Sequence, residues 1–302
     1  MAEWLVERGI GETREVRVEQ GAIAEARIMI DGVVRAGTVM RAVLKRGGRP
    51  AIAVADDCEY LLPKGAPGVT EGVALTIEVK REAIPGGEPW KRPLARVAEG
   101  AQEPEPHKAE TLAFPAPFDR LETLGWSDLL DEARSGIVRF AGGELRVSPT
   151  PAMTLIDVDG TLAPIELAKA GAKAAARAIL RHGIGGSIGL DLPTVAGKAE
   201  RLAIAAEVDT ALPQPFERTA VNGFGFLQIV RPRRHASLFE LAADRAAFEA
   251  RALLRRTAFS GAGAKRLVAH SAIAALLEDR PAWLEAICRQ IGGAVTLRAD
   301  PR

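Results

Sequence analysis

The sequence predicts a mixed α/β protein, α+β overall, in which a small OB-like β-barrel precedes a mixed-sheet α/β part. Three observations predict it. Between Gly37 and Val97 the runs GTVMRAVL, RPAIAVA, EYLLP, VALTIEVK and RPLARV are separated by Gly, Pro and Asp, and five short strands in about 60 residues suit a small closed barrel. From residue 152 apolar runs of strand length alternate with Ala-rich helical stretches, the order expected of strands joined by crossover helices. Between the two lies AEGAQEPEPHKAE, 98–110, rich in Pro and Glu with almost nothing to bury, which reads as a linker. The expected divisions are 1–33, N-terminal strands that pack on the second part; 34–97, the barrel; 98–117, the linker; and 118–302, the α/β part.

Taken in order, REVRV and AIAEARIMI within 14–30 read as two strands joined by Glu19-Gln20-Gly21, a connection suited to a hairpin. After the linker come a short helix around 119–134, strand-like GIVRF, a turn at Gly142-Gly143, and ELRV. AMTLIDV is a strand, and IELAKAGAKAAARAILRH a helix whose basic residues fall in its final turns, as the helix dipole favours. GGSIGLD is a second strand and VAGKAERLAIAAEVD a second helix; TAVNG and FGFLQIV read as further strands. Helices are expected near 238–257, 265–279 and 281–291, with AVTLR as a last strand. No internal repeat is evident.

With 302 residues, 47% of them hydrophobic, the chain can bury a real core. No apolar run approaches the roughly 18 to 20 residues of a membrane span, and MAEWLVERGIGETREV lacks the apolar centre of a secretory signal. The expectation is therefore a cytoplasmic protein. Cys58 and Cys288 lie in separate regions without Cys or His at metal spacing, which points to two reduced thiols rather than a zinc knuckle or a disulfide framework. The net charge of +1 conceals an asymmetry: residues 1–150 carry a net −4 and residues 151–302 a net +5. Arg231, Arg233, Arg234, Arg245, Arg251, Arg255 and Arg256 concentrate the positive charge. Such a cluster is either a phosphate-attracting patch or a solvated helical face.

Two apolar strands end in carboxylates. TLIDVD ends in Asp157 and Asp159, which point the same way because strand side chains repeat every second residue. GSIGLD ends in Asp191 after one crossover helix. If the two strands are parallel neighbours, the acids converge at the carboxyl edge of a sheet, where open α/β folds bind ligands. Converging carboxylates repel unless a cation sits among them, and oxygen-only ligands suit Mg²⁺ or Mn²⁺; helix caps and solvated loop acids are the alternatives. DVDGTL also resembles the first motif of haloacid dehalogenase-like phosphatases, in which Asp157 would be the nucleophile. Lys198 could serve as that family's lysine, but no downstream Gly-Asp segment stands at its usual spacing.

A longer resemblance goes further. GGELRVSPTPAMTLIDVDG is similar to the ribonuclease E/G pattern of a Gly-Gly turn, a strand, Thr-x-Ala and a strand bearing the first catalytic Asp. ARAILRHGIGGSIGLDLPT resembles that family's helix, Gly-Gly turn and second catalytic strand, and GFGFLQIVRPRRHASL its Phe-Gly-Leu-Leu-Glu-Met-Ser-Arg-Gln-Arg segment. The three blocks follow the family's order across 142–238, and 37–97 looks like its inserted RNA-binding barrel. The resemblance implies a DNase I-like nuclease part in which Asp157 and Asp191 bind Mg²⁺ or Mn²⁺. Water would attack an RNA phosphodiester in line, leaving a 5′-phosphate and a 3′-hydroxyl. It further implies that Arg231, Arg233 and Arg234 hold phosphates and that Tyr60 of the barrel contacts RNA, either a ribosomal RNA precursor or messenger RNA.

There are departures. Asp159 is implied as a third catalytic residue, at the position where the family usually has an Asn that helps orient the site; the change adds charge and removes an amide donor. About 44 residues separate Val97 from Gly142, too few for the family's full 5′-end sensor, so little preference for the 5′ end is expected. The two-cysteine zinc link between subunits is lacking, so a homodimer would have to use another surface. Only Tyr60 and Trp90 supply rings between 37 and 97, which predicts weak RNA binding by the barrel. His235 reads as an exposed surface residue, and a non-catalytic RNA-binding protein of the same ancestry stays open.

Overall fold

The computed structural model describes residues 3–84, 92–98 and 108–300; Trp90 and His107 fall outside them. The chain opens with β1 (Glu3–Arg8), β2 (Glu12–Glu19) and β3 (Ala22–Ile30), an antiparallel meander. Gln20 and Gly21 both have positive φ, 52° and 76°, the backbone a two-residue hairpin turn requires to match strand twist. Trp4, Leu5 and Val6 belong to β1, a strand the sequence reading left unassigned.

β4 (Val39–Arg46), β5 (Ala51–Ala55), β6 (Cys58–Leu62), β7 (Ala74–Arg81) and β8 (Leu94–Val97) close a barrel in the order β4-β5-β6-β8-β7, with β7 returning to β4. Its interior is small and apolar: Ala42, Leu44, Ala51, Ala53, Leu62, Ile77 and Val79. Residues 99–107 of the expected linker lie outside the described residues; 108–109 lead into β9 (Glu110–Leu112), which pairs in parallel with β1. Part of the expected linker is thus a strand of the N-terminal sheet.

Then come α1 (Arg120–Thr123), α2 (Trp126–Ser135), β10 (Ile137–Phe140), β11 (Gly143–Pro149), β12 (Thr154–Gly160), α3 (Pro164–Arg181), β13 (Gly186–Asp191), α4 (Lys198–Ala211), β14 (Glu217–Arg218) and β15 (Phe226–Arg231). The six strands form one sheet, ordered β10-β11-β12-β13-β15-β14. β12 and β13 are parallel, joined by α3; the other neighbours are antiparallel. α3 begins with Pro at its first turn, where a missing N–H costs nothing. Its buried positions Leu167, Ala168, Gly171, Ala172, Ala175, Ala176 and Ile179 recur at helical spacing. Small side chains let it lie close on the sheet: a Cβ on Gly171 would stand 2.3 Å from Val158 Cγ1. The same apolar core takes in Leu5, Val16, Ile23 and Ile28 of the first strands.

α5 (Leu238–Ala243), α6 (Arg245–Phe259), β16 (Lys265–His270), α7 (Ser271–Glu278), α8 (Pro281–Ile291) and β17 (Val295–Asp300) complete the chain. β16 and β17 pair in parallel, so the expected helix over 265–279 is a strand followed by a shorter helix. TAVNG is a loop, and only Glu217 and Arg218 before it form a strand. α6 is fastened to the first hairpin by buried ions: Arg255 donates to Glu7 at 2.9 Å and to Asp119 at 2.6 Å, Arg251 to Glu12 at 3.0 Å, and Arg14 to both Glu7 and Glu12. Arg251 and Arg255 are therefore internal struts of the fold, with no place in a phosphate-attracting patch. Among the described residues no helix is long and apolar enough to cross a membrane.

Candidate functional site

β12 alternates strictly. Thr154, Ile156 and Val158 are buried against the helical layer, while Leu155, Asp157 and Asp159 face the other, open side of the sheet. β13 ends in Asp191, which is exposed and in register with Asp157. Registered residues of parallel neighbours sit about 4.8 Å apart and share a face. The two carboxylates that the sequence set at the ends of separate strands are therefore side by side on the open face, with Asp159 two residues on.

The charges feel one another. Partial burial pushes the Asp157 carboxyl above its ordinary range, and Asp159 and then Asp191 push it further; the Val158 N–H and Arg146 pull the other way. Arg146 of β11 is the register partner of Asp157, and Glu144 that of Asp159. The Arg146 guanidinium donates to Glu144 at 2.8 Å and its Nε lies 3.8 Å from an Asp159 oxygen. Arg146 is thus the cation that borders the acids, and the sequence reading missed it. The signal was available: ELRV and TLIDVD form a tight antiparallel hairpin, which fixes Arg146 opposite Asp157.

Among the described residues no set of three or more His, Cys, Asp or Glu side chains is arranged to hold a metal ion. Two adjacent carboxylates open to solvent still fit Mg²⁺, which keeps several waters and commonly takes only one or two protein carboxylates. The donors are oxygen alone, as that ion prefers.

The arginines do not join the acids. In the antiparallel β13–β15 pair Asp191 faces Phe226, whereas Arg231 faces Gly186. Five residues of strand, about 17 Å at about 3.3 Å per residue, separate Arg231 from Asp191. β15 runs back along β13, so residues that follow it in sequence emerge at the sheet's far end. There Arg231 donates to the Ile184 carbonyl at 3.3 Å. Arg233 pairs with Glu240, whose other oxygen takes the Ser237 N–H and hydroxyl in the cap of α5. The Arg234 carbonyl accepts the Glu82 N–H at 2.8 Å, tying the sheet to the base of the barrel. The three arginines therefore lie at that junction, at the opposite end of the sheet from Asp157 and Asp191.

Two further expectations change. Tyr60 is 1% exposed and lies in the barrel core, because Cys58, Tyr60 and Leu62 share one face of β6; burial and Cys58 raise its phenol pKa. Its ring cannot stack on a base. His235 is half-buried, its Nδ1 bonded to the Ala236 carbonyl at 2.9 Å; desolvation and Arg27 depress its pKa to about 4. No family model matches the sequence, and no curated protein matches it.

Proposed function

We propose that the protein is a metal-dependent endoribonuclease, of the kind its motifs resemble, acting at the open sheet face. The observation that carries this reading is the register of Asp157 with Asp191 on adjacent parallel strands. Asp157 and Asp191 would hold Mg²⁺ or Mn²⁺; when bound, such an ion supplies Lewis acidity that polarises a phosphoryl oxygen and favours ionisation of water. Arg146, beside the pair, is placed to take a phosphate oxygen and to offset negative charge that develops in hydrolysis. Asp159 adds a third carboxylate on the same face and would tighten cation binding. An open face suits a polymeric substrate, which needs a surface to lie along rather than a closed pocket.

The closed order β4-β5-β6-β8-β7 supports reading the barrel as OB-like, and Arg41 and Arg46 stand exposed on it. Its contribution on this reading is attraction of the phosphate backbone, with no base stacking by Tyr60.

Labelled single-stranded RNA incubated with the protein in Mg²⁺ or in EDTA tests the proposal. Cleavage confined to Mg²⁺, giving 5′-phosphate ends and lost in Asp191→Asn, is the expected result. Binding without cleavage makes the chain an RNA-binding protein, and release of phosphate from small esters would assign Asp157 to phosphatase chemistry instead.

A further inference from the structure

Phe224 is 84% exposed, more than any other large apolar side chain among the described residues. Leaving such a ring in water forgoes roughly 1.5–3 kcal/mol of burial. Its loop is nevertheless tightly held. Asn222 Oδ1 accepts the N–H groups of Phe224 and Phe226 at 2.9 and 3.0 Å, and the Thr194 hydroxyl donates to the Phe224 carbonyl at 3.2 Å. The loop also lies against the acid-bearing strand: the Leu192 N–H donates to the Gly225 carbonyl at 3.3 Å, and a Cβ on Gly225 would stand 2.1 Å from the Leu192 carbonyl oxygen. A rigid backbone thus presents an unpartnered aromatic ring at the sheet end where Asp191 meets Phe226.

We infer that Phe224 is a stacking platform for one nucleobase of a single strand whose phosphate lies at Asp157 and Asp191. The inference rests on the ribonuclease reading and supplies what the barrel lacks, since Tyr60 is internal. Every base has a π-face, so such a contact holds the strand without selecting sequence; stacking on one ring contributes roughly 1–3 kcal/mol, a factor of about 5 to 150 in affinity. Leu155, also exposed on β12, extends the apolar surface beside the acids.

The test is binding of a fluorescein-labelled single-stranded oligoribonucleotide in Ca²⁺, followed by anisotropy, with wild type, Phe224→Ala, Phe224→Trp and Phe118→Ala. Phe118 is the control, since it is an exposed ring at the start of α1. Phe224→Ala should weaken binding about 5-fold or more, Phe224→Trp should retain it and Phe118→Ala should leave it unchanged. An abasic position walked along the strand should erase the Phe224→Ala difference at one register. Equal binding by Phe224→Ala, equal losses in both alanine variants, or no binding by the wild type would overturn the inference. A Phe224 effect on binding without Mg²⁺-dependent cleavage would leave the platform standing and remove the nuclease.

Discussion

Replacing Gly171 by alanine sets two effects of opposite sign against each other at one buried helical position. Helix propensity favours alanine by about 0.8–1.0 kcal/mol. Against it, the new Cβ would stand 2.3 Å from Val158 Cγ1 and 3.2 Å from Cγ2, where carbon atoms normally meet at about 3.5–4.0 Å. Neither side has room to yield: Ala168, Ala172 and Ala175 are fully buried along the same helix face, and Ile156 is fully buried beside Val158. Overpacking costs about 1–3 kcal/mol, and a 2.3 Å approach stands in the upper part of that range, so the variant should lose roughly 1–2 kcal/mol net. Urea unfolding of wild type, Gly171→Ala, Val158→Ala and the double variant measures it. Val158→Ala alone removes two buried methyl groups, each worth about 0.8 kcal/mol, and opens the space the new Cβ needs. The double variant should therefore be more stable than the sum of the singles by about 1 kcal/mol or more. A Gly171→Ala protein as stable as wild type, or strict additivity, would refute the close packing of α3 on β12. Because Val158 sits between Asp157 and Asp159, the same clash should reduce Mg²⁺-dependent cleavage even where the protein stays folded.

Asp191→Asn should raise the neutral-pH stability of the metal-free protein by less than about 1 kcal/mol, since these acids are exposed and screened. Partial burial first, and then Asp159 and Asp191, raise the Asp157 pKa, so the repulsion that Asp191→Asn relieves is present while Asp157 is ionised and fades as pH falls through the titration of Asp157. Urea curves at pH 7 should separate the variant from wild type and those at pH 3.5 should not. Arg146→Ala should lower the cleavage rate at saturating RNA tenfold or more; Arg233→Ala should leave that rate unchanged while lowering stability through loss of the Glu240 pair, and the reverse pattern would return the arginine cluster to the site. His235 should make the fold acid-labile. Its folded pKa of about 4 lies below the unfolded value of about 6.5, so stability is full above the latter and falls by on the order of 2–3 kcal/mol as pH drops toward 4. His235→Gln should flatten that slope in urea titrations across pH 7 to 4.5. Gly225→Ala adds a side chain at φ +88°, 2.1 Å from a carbonyl oxygen, and should cost at least about 2 kcal/mol; Gly223→Ala, with open space around it, should change the thermal midpoint little.

The acid pair was legible because each step that places it is local. Alternation with period two assigns Asp157 and Asp159 to one face, and a single helix of crossover length makes β12 and β13 parallel neighbours. The barrel was legible for the same reason, as short apolar runs punctuated by Gly, Pro and Asp. Long-range direction was not. Whether β15 runs with or against β13 decides which end of the sheet carries Arg231, and nothing within GFGFLQIVRPRR states it. β16 is not legible locally as a strand, because the partner it pairs with, β17, lies 30 residues further on. Arg251 and Arg255 look like surface cations until Glu7 and Glu12, more than 230 residues earlier, are seen to bury with them. The inward place of Tyr60 is legible in the sequence: Cys58, Tyr60 and Leu62 alternate with Glu59, a parity that turns the ring toward the barrel core.

The two faces of the six-stranded sheet have been treated differently by the same strands. One face packs Ile156, Val158, Ile188, Leu190, Leu227 and Ile229 into the core beneath an alanine-rich helix. The opposite face carries no comparable apolar row; it holds Arg146, Asp157, Asp159 and Asp191, with Leu155 exposed beside them and Val230 exposed toward the other end of the sheet. Stability alone would favour separating the three acids, because partial burial and then repulsion from Asp159 and Asp191 raise the Asp157 pKa and the nearby cation, Arg146, reaches Asp159 only at 3.8 Å. Isosteric amides at these positions would relieve the repulsion without disturbing the backbone. A chain that instead keeps like charges in register, on the one sheet face open to a large ligand, holds them at a cost to its own stability, and a bound divalent cation is what would offset that cost.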